Sequence, residues 1–111
     1  MSEFVVALST VPADFDAAAL ADALVTSGAA ACVNILPPME SVYVWNGALQ
    51  RERERQLVMK TTRARVGLLW TTLKARHPYD VPEFLVVPIL EGNPDYLKWI
   101  EDTVNRKSEN G

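Results

Sequence analysis

Apolar residues fall along this chain in two rhythms, and the rhythms predict its elements. Phe4-Val5-Val6-Ala7-Leu8-Ser9-Thr10, bounded by Val11-Pro12, is a short β-branched run and reads as a buried strand. Ala17, Leu20, Ala21 and Leu24 recur at i, i+3, i+4 and i+7, which predicts a helix over about 15–27. Asp14 or Asp16 can cap its start, and Gly28 supplies its stop. Ala30 to Leu36 is mostly apolar again and predicts a second strand. Pro37-Pro38 offers no ladder donors, so that strand must break, bulge or run along an edge there.

Glu40 to Trp45 resumes extended character, and Asn46-Gly47 is a strong signal for a two-residue hairpin turn. The returning strand is predicted over Ala48 to Thr62. Its stretch Arg51-Glu52-Arg53-Glu54-Arg55 puts three arginines on one strand face and two glutamates on the other. That stretch reads either as a solvated ribbon or as one pairing with another chain through complementary charge. From Arg63 to Arg76 the pattern is helical, with Val66, Leu69, Trp70 and Leu73 on one side. His77 falls in the last turn, where the helix dipole favours a cation, and Pro78 closes the helix. Glu83 to Ile89 predicts a strand. Asn93 or Asp95 starts a last helix, with Tyr96, Leu97, Trp99, Ile100 and Val104 inward. Residues 106–111 are polar and read as a frayed tail.

The order is strand, helix, long hairpin, helix, strand, helix. It predicts an α+β fold, a ferredoxin-like βαββαβ sandwich with a long β-hairpin and an added C-terminal helix. The 111 residues make one domain, 1–111. Two helices cover one sheet face, and the other face calls for another subunit.

Composition narrows the function classes. A net charge of -3 provides no basic field for a nucleic-acid backbone. The single cysteine, Cys32, forms no internal disulfide and suits a reducing compartment. No apolar run approaches the ~20 residues that span a bilayer, and Met1-Ser2-Glu3 lacks the basic start of a secretory signal. The expectation is a cytoplasmic protein with no membrane contact. Cys32, His77 and Asp80 include the residue types of Cys–His catalysis, but nothing near Cys32 in sequence activates a thiol, so no enzyme is expected. No glycine-rich nucleotide loop is present.

His77, Asp80 and Glu83 are spaced three apart around a Pro-bounded loop. Imidazole and carboxylate suit copper(II), and the thiol of Cys32 suits copper(I). The bland alternatives are a helix-capping His77, a backbone-bonded Glu83 and a Cys32 that acts as a small hydrophobe. Tyr43 and Trp45 share a face near the hairpin tip and are candidates for subunit contact.

Several segments together resemble the CutA divalent-cation tolerance family. They are Ala30-Ala31-Cys32-Val33-Asn34-Ile35, Ser41-x-Tyr43-x-Trp45-x-Gly47, Glu54-x-x-Leu57-x-x-Lys60-Thr61, His77-Pro78-Tyr79-x-x-Pro82-Glu83 and Tyr96-Leu97-x-Trp99-Ile100. The resemblance implies a homotrimer like the PII signalling proteins, with hairpins bracing neighbours. It also implies binding of divalent metal, copper(II) included. Ser9 and Arg76 stand where some members carry Cys and His, which leaves fewer soft ligands. A second reading is a PII-like sensor that binds a small metabolite or anion between subunits, with Lys60, Arg63 and Arg65 lining the cleft.

Overall fold

The computed structural model describes residues 3–106, so the expected tail at 106–111 lies outside the described residues except for Arg106. Five strands and three helices follow one another as β1 (Phe4–Pro12), α1 (Ala17–Thr26), β2 (Cys32–Ile35), β3 (Met39–Trp45), β4 (Ala48–Thr62), α2 (Val66–Arg76), β5 (Leu85–Pro88) and α3 (Pro94–Asn105). All strand pairs are antiparallel, in the order β2-β4-β1-β5, with β3 also on β4. This is the ferredoxin-like arrangement that the element order predicts.

Local chemistry explains the boundaries. Asp16 accepts a hydrogen bond from the Ala19 N–H at 3.1 Å and caps α1. Gly28 ends it with φ +79, and an added Cβ would meet the Val104 carbonyl oxygen at 3.4 Å. Asn46 and Gly47 both have positive φ, 51° and 77°, as a type I′ turn requires. Pro37-Pro38 breaks the edge between β2 and β3, which pair with successive stretches of β4. The helix expected from Arg63 begins instead as a 3-10 turn over Arg63–Arg65. The last strand is shorter than expected and starts at Leu85. Asn93 caps α3 by accepting from the Asp95 N–H at 3.0 Å, and Pro94 occupies the first turn.

The core lies on one face of the sheet. Val5, Ala7 and Val11 of β1 and Leu57 and Met59 of β4 meet Leu20 and Leu24 of α1 and Leu69 and Leu73 of α2, all buried. Ser9 shares that face, and its buried Oγ has no hydrogen-bond partner. The opposite face carries Val6, Leu8, Val58, Val87 and Leu85; Leu85 is 56% exposed and Val87 46%. Within the chain, α3 packs Ile100 and Val104 against Ala31 and Phe4, and most of this apolar face stays open.

Three aromatic positions depart from expectation. Trp99 and Tyr96 are exposed, their rings 5.4 Å apart, because only Leu97, Ile100 and Val104 of α3 turn inward. Trp70 is half-buried against Phe84, with ring centroids 5.0 Å apart. Among the described residues no helix is long and apolar enough to cross a membrane.

Candidate functional site

The loop from His77 to Phe84 leaves the end of α2 and straps across β1 and β4. Pro78 holds His77 extended, at φ -76 and ψ 138, so its ring swings off the helix. His77 Nδ1 accepts the Tyr79 N–H at 3.0 Å, and Nε2 lies 2.7 Å from the Thr10 carbonyl oxygen. The first contact makes Nδ1 the acceptor, so Nε2 carries the proton and donates to Thr10. Both ring nitrogens are therefore engaged with backbone.

Tyr79 extends the strap. Its hydroxyl donates to Glu54 Oε2 at 2.8 Å. Glu54 is only 6% exposed, so the solvated-ribbon reading of this stretch fails at Glu54, whose carboxylate lies in the strap. Burial above all, and then the hydrogen bond and negative charge of Glu54, push the Tyr79 phenol well above the usual tyrosine value. Two residues along the same face of β4, Gln56 Nε2 donates to the Ser9 carbonyl oxygen at 2.7 Å and to Glu83 Oε2 at 3.0 Å. His77, Tyr79 and Glu83 thus each reach a partner on β1 or β4. The loop is a polar clasp at the edge of the open apolar face.

The residues expected to ligate metal do not converge within one chain. His77 and Glu83 belong to the clasp, and Asp80 is exposed beside it. Cys32 pairs with Lys60, four positions along β4 from Gln56. At strand spacing that is roughly 13 Å away. Among the described residues no three His, Cys, Asp or Glu side chains are grouped to hold a metal ion. A closed site built by one protomer from His77, Asp80, Glu83 and Cys32 does not fit this geometry. Lys60 lies with its Nζ 5.8 Å from the Tyr96 ring centroid, and it leads toward Arg63 and Arg65 at the far end of β4.

Glu54 and Gln56 are the site residues that sequence reasoning missed. Each looks like one more polar residue on a charged strand. The available signal was their shared parity on β4, facing the same way as Val58 and Lys60.

Residues 5–103 match the family model described as the CutA1 divalent ion tolerance protein. The chain belongs to that family. The divalent-cation tolerance protein CutA of Pectobacterium atrosepticum is 42% identical over 100 residues, covering 90% of this chain and 91% of the relative. The crystal structure of CutA1 from Oryza sativa superposes with a TM-score of 0.89 at 38% identity, covering 96% and 97% of the two chains. The solved structure from Thermus thermophilus gives 0.84 at 44% identity, over 87% and 94%. The motifs that carried the resemblance lie in the matched segment, and the fold agrees with it. These relatives are named for tolerance of divalent cations, not for an enzymatic reaction.

Proposed function

We propose that this divalent-cation tolerance protein works in the cytoplasm as a homotrimer, and that it holds copper(II) with side chains drawn from more than one subunit. The observation that carries this reading is the open apolar face, with Leu85 56% exposed and Val87 46% exposed beside the clasp. A contiguous apolar patch of that kind marks an interaction surface. Because the described residues of one protomer group no three His, Cys, Asp or Glu side chains, a metal site in this reading draws ligands from a neighbouring subunit, with exposed Asp80 as this chain's contribution. Tyr43 and Trp45, exposed near the tip of the β3–β4 hairpin, serve as subunit contacts in this assembly.

Light scattering on the purified protein tests the trimer. Calorimetric titration of copper(II), with zinc(II) and magnesium(II) as comparisons, tests the metal. The expected result is a saturable copper(II) site in whole-number stoichiometry per trimer, weakened by Asp80→Asn. Weak, non-stoichiometric heat overturns the copper reading.

A second reading follows from the same clasp. His77 and Glu83 are both committed to protein partners, which favours a structural clasp and a PII-like sensor. Its metabolite or anion would sit in a cleft between subunits, near Lys60, Arg63 and Arg65. A ligand of that kind raises the melting temperature in a thermal-shift screen.

A further inference from the structure

Lys60 stands on the open sheet face with no carboxylate beside it. It lies opposite Val6 on β1 and Cys32 on β2, with Val58 and Thr62 before and after it on the same face of β4. It is half-buried, and its Nζ lies 5.8 Å from the Tyr96 ring centroid. Among the described residues its ammonium makes no ion pair. Withdrawing a cation from water costs free energy unless an anion meets it.

Beside this ammonium is an aromatic shelf. Tyr96 and Trp99, on successive turns of α3, are 40% and 44% exposed, with ring centroids 5.4 Å apart and planes tilted by 35°. Leu97, Ile100 and Val104 already tie α3 to the protomer, so the two rings are surplus to that packing. Exposed aromatic faces stack on other planar rings. Tyr96 neighbours both Lys60 and Trp99, which makes the cation and the shelf contiguous. The charges nearby limit what fits. α3 also carries Asp95, Glu101 and Asp102, and among these only Asp102 is ion-paired, with Lys98. A ligand with several negative charges is repelled there, whereas one carboxylate matches one ammonium.

We propose that Lys60, Tyr96 and Trp99 form a binding site for a small aromatic monocarboxylate, its acid group on the Lys60 ammonium and its ring against the Tyr96–Trp99 shelf. The inference rests on the sensor reading above and deepens it by naming the class of ligand. All three residues come from one protomer.

Calorimetric titration of phenylacetate into the purified protein tests this. Acetate keeps the charge without the ring, phenethylamine keeps the ring with the opposite charge, and cyclohexylacetate keeps charge and bulk without a π face. A saturable phenylacetate site is expected, with acetate and phenethylamine at least about tenfold weaker and cyclohexylacetate about three- to tenfold weaker. Lys60→Met and Trp99→Leu are each expected to weaken phenylacetate about tenfold, with fold and mass unchanged by circular dichroism and light scattering. Lys60→Arg, which keeps the charge, is expected to retain most of the affinity. No saturable phenylacetate binding, equal binding of phenethylamine, or indifference to both Lys60→Met and Trp99→Leu overturns the site. So does a Lys60→Met chain that loses its assembly while the wild type binds no phenylacetate, because a neighbour's carboxylate is then the partner of Lys60. A metabolite of other chemistry that raises the melting temperature, with an affinity indifferent to both variants, overturns the aromatic-acid site and leaves the sensor reading standing. A chain whose melting no small molecule shifts overturns both.

Discussion

Replacing Tyr79 by Phe removes one oxygen and isolates a buried carboxylate. The Tyr79 hydroxyl sits 2.8 Å from Glu54 Oε2, and Glu54 is 6% exposed, so water cannot readily take the hydroxyl's place. The ring itself and its packing on His77, with centroids 5.1 Å apart, survive the change. A hydrogen bond to a charged group is worth about 1.5–3 kcal/mol. Tyr79→Phe is therefore expected to destabilise the protein by about 2 kcal/mol. In a chain of this length that lowers the melting temperature by several degrees. The comparison is made at one protein concentration, because association shifts apparent stability.

The pH profile gives a second readout with a definite sign. The Tyr79 phenol is raised from its ordinary value of 10.0 by burial first and by Glu54 second. Its contribution is complete below pH 10. Above that, the unfolded chain releases the tyrosine proton while the folded chain keeps it, so stability falls as pH rises. The slope from this one group reaches at most about 1.4 kcal/mol per pH unit. Tyr79→Phe abolishes that part of the alkaline limb. Tyr43, raised in the same direction by loss of hydration and then by Glu52 and Glu54, leaves a residue of the same sign, and Tyr43→Phe serves as the control. Urea unfolding between pH 7 and pH 11 measures both effects. A loss below about 0.5 kcal/mol at neutral pH, with an unchanged alkaline limb, refutes the clasp as described.

Other substitutions report on other parts of the fold. Leu73→Ala, at a position with 0% exposure between α2 and the sheet, is expected to cost about 2–5 kcal/mol in urea unfolding. Gly28→Ala places a Cβ at φ +79, and the expected loss is about 1 kcal/mol or more in the same assay. Leu85→Glu, on the open face, is expected to leave the protomer folded by circular dichroism while light scattering shows loss of the proposed trimer.

Residues whose partners lie close in sequence were legible from the sequence alone. Asp16 and Asn93 are helix caps because their side-chain oxygens reach an N–H two or three residues on. Asn46-Gly47 is a type I′ turn because positive φ is accessible to those residues, and Pro37-Pro38 interrupts a strand wherever it stands. Short apolar runs, the helical period and the turn signals placed the three helices and five strands, though not the 3-10 turn over Arg63–Arg65 or the late start of the last strand at Leu85, and the motif series identified the family, since all of these are properties of the linear order.

Tertiary structure decided the rest, for reasons of distance along the chain. Glu54 is buried because Tyr79, 25 residues later, folds over it. His77 is occupied because β1, 67 residues earlier, presents the Thr10 carbonyl to it. No spacing rule within a helix or strand carries such information. Trp99 matched the apolar stripe of α3 yet lies exposed, because a helix packed at the end of a sheet buries only the narrow line of Leu97, Ile100 and Val104. Composition and period determine which elements form and which face of each is apolar. Which polar side chains meet, and which apolar face is left open, depends on the register of distant strands, and that exists only once the chain has folded.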